Sequence, residues 1–431
     1  MAGKTRKRHS ATLLPQVLWA VGPGGTSPTA EPDMASNALD KALSRESLSQ
    51  AWKFLYSSSS KASKNTVGVD GICINDFEVS AKGNLNFLSR SIRNRTFRFN
   101  SLNPFIIPKP NGKFRLIAVP TVQDRIVQRA LVNHLSITCA HHIINGVSFG
   151  FIKDRSVKDA AEIACKIRKT KPWIFKTDIT AFFDSIDRQR LRETIKRIVK
   201  EKSLHAILYD ALNCEVESSQ SSVNKKIREL GIQRGTGIRQ GMPLSPLFSN
   251  LLLSSFDQLV EQRGFHALRY ADDIIFLGKS EIDCHQAFEF CKEEFAKLDL
   301  KIPEIEPNSK SVIYSPSDPA EFLGLELMLS GSKYELRMSD KQILKVKEEI
   351  LRLGSIPELL TRKITLKNFN QVMTSKRTGY LAAYDVCTNI GSVANELASL
   401  EQKALRKIYA DGLGIDLGKI DKEARTFLGL T

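Results

Sequence analysis

Arg269-Tyr270-Ala271-Asp272-Asp273-Ile274-Ile275-Phe276-Leu277 places two adjacent carboxylates between two short apolar stretches. His266 to Tyr270 and Ile274 to Leu277 have the apolar, β-branched and aromatic content of strands, and Ala271-Asp272-Asp273 reads as the tight turn between them. Upstream, Trp173 to Thr177 reads as a buried strand that ends on Asp178. If these strands are neighbours in one sheet, the carboxylates of Asp178, Asp272 and Asp273 converge at their ends. Convergent carboxylates are hard oxygen ligands suited to Mg²⁺, an ion held by few protein ligands and by substrate phosphates. Two such ions about 4 Å apart stabilise both the attacking and the leaving oxygen of an in-line phosphoryl displacement. An Asp-Asp pair by itself is a common solvated turn, so the weight falls on its context.

Phe105 to Pro108 and Phe114 to Val119 read as strands around a turn at Pro110-Asn111-Gly112. Helical spacing appears at Ser36 to Tyr56, broken by the serine run Ser57 to Ser60, and again at Asn84 to Arg93. A helix follows from Asp124 into the His134 region, others cover Arg188 to Val199 and Leu247 to Arg263, and the polar stretch Cys214 to Leu230 reads as a surface hairpin or loop. This alternation suits a hairpin-containing α+β sheet. Beyond Ser339, whose Ser-Asp pair can cap a helix to about Leu353, the pattern is helical and basic, with further helices over Thr365 to Val386 and Val393 to Ile408.

The 431 residues carry 63 Lys and Arg against 47 Asp and Glu, a formal charge of +16, which points to a polyanionic partner. A hydrophobic share of 42% is enough for a sizeable core and argues against wholesale disorder. Seven scattered cysteines without a CxxC pair argue against a disulfide framework and for a reducing compartment. Cys284, His285 and Cys291 lack a second ligand pair at zinc spacing and read as ordinary helix residues. No apolar run reaches transmembrane length, and Lys4 to Arg8 followed by the short stretch Leu13 to Val21 reads as a basic, poorly ordered arm rather than a signal peptide. The expected location is the cytoplasm, without a membrane partner.

Tyr270-Ala271-Asp272-Asp273 resembles the YADD box of reverse transcriptases. Phe175-Lys176-Thr177-Asp178-Ile179-Thr180-Ala181-Phe182-Phe183-Asp184 is similar to the family's first metal-binding motif, and Arg239-Gln240-Gly241-Met242-Pro243-Leu244-Ser245-Pro246 to the box between them. All three stand in family order. Ile107 to Arg115 resembles the fingers hairpin, Ser148-Phe149-Gly150-Phe151 the next box, and Gly68-Val69-Asp70-Gly71 the N-terminal element of group II intron and related bacterial enzymes. Lys310-Ser311 and Phe322-Leu323-Gly324 resemble late palm boxes. The likeness runs from Gly68 to Leu325.

That resemblance implies an α+β right-hand polymerase with fingers, a palm of antiparallel strands flanked by helices, and a C-terminal helical thumb. The expected division is a basic arm over residues 1–35, an N-terminal extension and fingers over 36–170, a palm over 171–335 with 231–250 returning to the fingers, and a thumb over 336–431. It implies Asp178 and Asp272 as main ligands of two Mg²⁺ ions, Asp273 as a weaker or outer carboxylate, and the Ile179 carbonyl as a further ligand. Phe183 falls at the position that crowds a ribose 2′-OH. Gln240 and Gly241 would line the nucleotide pocket, Lys109 and Arg115 would contact the triphosphate, and Lys310 would donate a proton to pyrophosphate. Asp184 and Asp187 are expected to cap or orient structure.

The implied partners are an RNA template, dNTPs and a DNA product, with oligomeric state left open. The absence of a recognisable endonuclease motif argues against a retroviral polyprotein product, and the resemblance to bacterial members implies a standalone enzyme paired with its own structured non-coding RNA, in antiphage defence. The alternative is the maturase role of group II intron proteins.

Overall fold

The computed structural model describes residues 37–108, 112 and 114–430. Two compact units emerge, and the chain passes between them more than once. Among the described residues, one holds 37–156 together with Phe175–Ile313; the other holds Val157–Ile174 and 314–430.

The first unit contains the antiparallel hairpin β1 (Asn103–Pro108) and β2 (Phe114–Val119), with Ile106 opposite Leu116. Its centre is a four-stranded sheet built on β3 (Trp173–Asp178), β4 (His266–Tyr270), β5 (Asp273–Gly278) and β6 (Val312–Tyr314), in the order β4-β5-β3-β6. Ile274 to Leu277 are all buried, so β5 is covered on both faces, as its near-continuous apolar run requires. The helices Ser245–Gln262 and Glu281–Ala296 supply that cover through an aromatic cluster. Phe256 stacks on Phe295 at 4.5 Å, and Phe175 meets Phe288 edge-on at 5.7 Å. Cys284 and Cys291 are buried helix residues in this layer.

Three local readings are corrected. Ser36 to Tyr56 is not one helix: Ala38–Ala42 stops, and Ser44 caps a new helix, Arg45–Ser58, by accepting the Ser47 N–H. The Cys214 to Leu230 segment is not a loop or hairpin, because Ser221–Glu229 is helical. Only Ile227 of that helix is buried, so its apolar stripe is one residue wide and weak in the sequence. Third, the helix expected from Asn84 begins earlier, at Ala81.

The second unit has a three-stranded antiparallel sheet, β7 (Ala320–Phe322), β8 (Leu325–Ser330) and β9 (Lys333–Met338), in sequential order. Arg168, at the end of the Val157–Arg168 helix, is fully buried and donates to the carbonyls of Pro172, Ser315, Asp318 and Leu327. Ser339 caps Asp340–Arg352, and the helices Leu366–Ala383 and Ile390–Lys407 follow. No helix among the described residues is long and apolar enough to cross a membrane.

Glu349 ties this helical segment together, accepting from Arg362 at 2.7 Å and Lys376 at 2.5 Å. Partial burial pushes its carboxyl up, but the bonds from Arg362 and Lys376 outweigh this and bring it down to about 2. A carboxyl lowered in the folded state contributes its stability above the unfolded value of about 4.3 and loses it as pH falls towards that lower value. Glu349→Gln is therefore expected to cost about 1 kcal/mol at pH 7 after solvent screening. The gap in urea stability between variant and wild type should narrow as pH drops below about 4, and a gap independent of pH would count against this role.

Candidate active site

Tyr270 pairs with Asp273, leaving Ala271 and Asp272 as a two-residue hairpin loop. Ala271 sits at φ 60°, a left-handed conformation that costs an L-residue about 1 kcal/mol or more. Neighbouring chain holds the turn in place. The Phe149 N–H donates to the Arg269 carbonyl and the Arg269 N–H to the Val147 carbonyl, both at 2.8 Å. Gly150 follows at once, and a Cβ there would lie 2.5 Å from the Ala271 nitrogen. Its φ is not positive, so space alone demands glycine.

The end of β3 is stitched to this turn: the Ile179 N–H donates to the Asp272 carbonyl at 3.2 Å. Burial pushes the Asp272 carboxyl above the usual carboxylate range; the charge of Asp178 adds to the rise, while Lys310 and Arg115 oppose it. Three further predicted residues, Asp178, Lys310 and Arg115, are thus near enough to act on the Asp272 charge. The Lys310 ammonium bonds Asp178 Oδ2. Asp178 Oδ1 is buried without a hydrogen-bond partner, a costly state for a carboxylate oxygen unless a cation or ligand completes it. Asp273 opens β5 and is half-buried.

Among the described residues, no three His, Cys, Asp or Glu side chains form a ready-made metal cage. The residues fit a divalent ion in another way. One or two carboxylates, completed by substrate phosphates, is the donor set Mg²⁺ ordinarily takes from a nucleotide-binding protein.

The predicted nucleotide-contacting residues divide. The Ala118 N–H of β2 donates to the Gln240 carbonyl at 2.7 Å, and Gly241, at φ 113°, would place a Cβ 2.4 Å from the Ala118 carbonyl oxygen. Only glycine allows that approach. Arg239 supports the segment by donating to Glu215, which also accepts from Arg188, both at 2.7 Å. Phe182 is the core residue of its pair, at 2% exposure; Phe183 beside it is half-buried. The Phe183 carbonyl accepts the Ile238 N–H at 2.7 Å, fixing it to the chain that leads into Gln240. Asp187 caps the helix Arg188–Ile198 by accepting the Arg190 N–H. Lys109 lies outside the described residues.

The sequence reading passed over the group that secures the turn from beneath. Arg269 and Asp257 form a fully buried ion pair, joined by Ser148 and Asn250. One signal was present: Asn250, Ser254 and Asp257 stand at i, i+4 and i+7 of a strongly apolar helix, and all are buried. A polar stripe on a buried helix demands polar partners.

Residues 107–327, just over half the chain, match the family model described as reverse transcriptase (RNA-dependent DNA polymerase). Protein YkfC of Escherichia coli K12 is 26% identical over 207 residues, covering 46% of this chain and 51% of YkfC. The retron Ec83 reverse transcriptase of Escherichia coli is 26% identical, over 39% of this chain and 50% of its own. The group II intron-encoded protein LtrA of Lactococcus lactis is 25% identical, over 49% of this chain and 33% of LtrA. The chain thus spans about half the length of the first two of these curated relatives and a third of LtrA. With its motif segments assembled around Asp178 and Asp272, this chain belongs to the reverse transcriptase family.

Proposed function

We propose that the protein is an RNA-directed DNA polymerase that extends a primer 3′-hydroxyl with dNTPs. The observation that carries this reading is the buried, unpartnered Oδ1 of Asp178 on a strand end stitched to the turn of Asp272. Asp178 and Asp272 would hold Mg²⁺, with Asp273 and the Ile179 carbonyl at the margin of the site. Bound there, two ions would stabilise the charge on the attacking and leaving oxygens. Arg115, with its planar guanidinium, suits the triphosphate, and Lys109 would supply a second cation. Lys310, which bonds Asp178, would neutralise charge near the reacting phosphates and give a proton to the leaving pyrophosphate. In hand terms, β1 and β2 form the fingers, the four-stranded sheet the palm, and the basic helices after Ser339 the thumb on the template–primer backbone.

Phe183 would select deoxynucleotides by crowding the ribose 2′-OH, since its ring is only half-buried while Phe182 fills the core. Phe183→Val is expected to reduce discrimination against ribonucleotides by roughly 10- to 200-fold, the range a single pocket contact supplies. Competing dNTP and rNTP incorporation in primer extension measures it; unchanged discrimination would leave Phe183 a packing residue.

The template we favour is a cognate structured non-coding RNA, in a bacterial defence role. The likeness to a retron reverse transcriptase supports this. The likeness to a group II intron-encoded protein supports the maturase alternative. Sequencing the RNA that co-purifies with the full chain, together with any DNA product, separates them. A short non-coding RNA copied into DNA fits the first; intron RNA bound without a matching product fits the second.

A further inference from the structure

We propose that the Arg269–Asp257 pair is a positioning device that sets the aim of the Asp272 carboxylate for metal binding, an inference that rests on the polymerase reading above. A guanidinium has five N–H donors, and here every one is used. Nε donates to Asp257 Oδ1 at 2.8 Å and Nη2 to Asp257 Oδ2 at 2.5 Å and Ser148 Oγ at 2.9 Å. Nη1 donates to Asn250 Oδ1 at 3.2 Å and to the Ala271 carbonyl at 3.1 Å.

The last of these bonds matters most. The Ala271 carbonyl and the Asp272 nitrogen belong to one rigid peptide plane, so the guanidinium fixes the plane from which Asp272 departs. Asn250 works on the same turn from another side. Its Oδ1 accepts from Arg269 while its Nδ2 donates to the Gly150 carbonyl at 2.9 Å, and Gly150 packs against the Ala271 nitrogen. A loop with a non-glycine residue at φ 60° is thereby held from two directions.

The pair is neutral as a unit, so its effect on Asp272 is geometric rather than electrostatic. Arg269 is 0% and Asp257 1% exposed. Buried pairs of this kind add little net stability compared with an apolar filling, and their best-attested use is to specify one arrangement. A bidentate fork on the Ser245–Gln262 helix, which packs beneath β4, transfers the rigidity of that helix to the turn.

Mn²⁺ binding to the full-length chain, followed by electron paramagnetic resonance, tests the proposal without requiring turnover. Arg269→Lys keeps the charge but offers three donors in place of five and no fork; Asp257→Asn keeps the shape and loses the charge. Each is expected to raise the Mn²⁺ dissociation constant about tenfold in protein that circular dichroism shows to be folded. The half-saturating Mg²⁺ for primer extension should rise in parallel, with the KM for dNTP changing far less and activity recovering at high metal. A merely structural role would lower the folded fraction and leave both metal constants unmoved. Ser148→Ala, which removes one contact to the guanidinium, and Asn250→Ala, which removes one to the guanidinium and one to Gly150, carry the same test if the pair variants do not fold. Folded variants with wild-type Mn²⁺ affinity and Mg²⁺ dependence would overturn the positioning role while leaving the polymerase reading intact. A wild type that neither binds Mn²⁺ nor extends a primer would remove both.

Discussion

Asp272→Asn is expected to lower deoxynucleotide incorporation by about 10³-fold or more, a loss of roughly 4 kcal/mol of transition-state stabilisation. The substitution preserves size and hydrogen-bonding shape and removes the charge that a divalent ion requires. It should not unfold the protein. Asp272 is a half-buried carboxylate that is poorly solvated and feels the charge of Asp178, so an amide at this position relieves both desolvation and like-charge repulsion. The melting temperature should therefore hold or rise while activity collapses. Asp178→Asn should behave similarly. Its one ion pair is to a lysine that is 72% exposed, and such pairs contribute little to stability. Extension rates measured beside melting curves check both variants. Activity within tenfold of wild type, or activity lost only in proportion to folded protein, would argue against a metal-holding role.

Gly150→Ala is expected to be nearly as damaging, although Gly150 bears no chemistry. The added Cβ would lie 2.5 Å from the Ala271 nitrogen and 3.0 Å from the Tyr270 carbonyl carbon, both backbone atoms that cannot swing away. The strand or the turn must shift, at an expected cost of about 1–3 kcal/mol in stability. The larger effect is on geometry, because a displacement of about 1 Å at reacting groups can cost on the order of 10²-fold in rate. Gly83 provides the control: it lies in the helix Ala81–Arg93, and an added Cβ there meets nothing within 4 Å. Gly83→Ala should be neutral or stabilising by up to about 1 kcal/mol. Equal activity in the two alanine variants would contradict the tight packing of residues 148–150 on the turn.

Those two positions show where the sequence was readable and where it was not. The β4–β5 hairpin and the strand ending at Asp178 were legible because buried strands are marked by short runs of β-branched and aromatic residues, bounded here by polar turns. The helix Ser245–Gln262 was legible from its apolar length. The Ser221–Glu229 helix was not, because a surface helix that buries one residue has almost no hydrophobic period to read. The break between Ala42 and Arg45 was missed because apolar spacing continues across it, and only the bond from the Ser47 N–H to Ser44 marks the restart.

At the site, residue types suited to metal and phosphate could be read from motifs, but their support could not. Arg269 and Asp257 are twelve positions apart, and nothing local reveals that they share a fork. Gly150 and Ala271 meet only through tertiary packing. The buried polar stripe of Asn250, Ser254 and Asp257 was the one sequence-level sign that this helix faces a polar partner.

Primer extension on a primed RNA template by the purified full-length chain, with Mg²⁺ and dNTPs, decides whether the protein is a polymerase, with Asp178→Asn/Asp272→Asn as the paired control. Wild type is expected to synthesise DNA on the template, and a double variant that remains folded to give none above background. Equal synthesis by the two proteins, or none by wild type on either a generic template or its co-purified RNA, would contradict the polymerase reading.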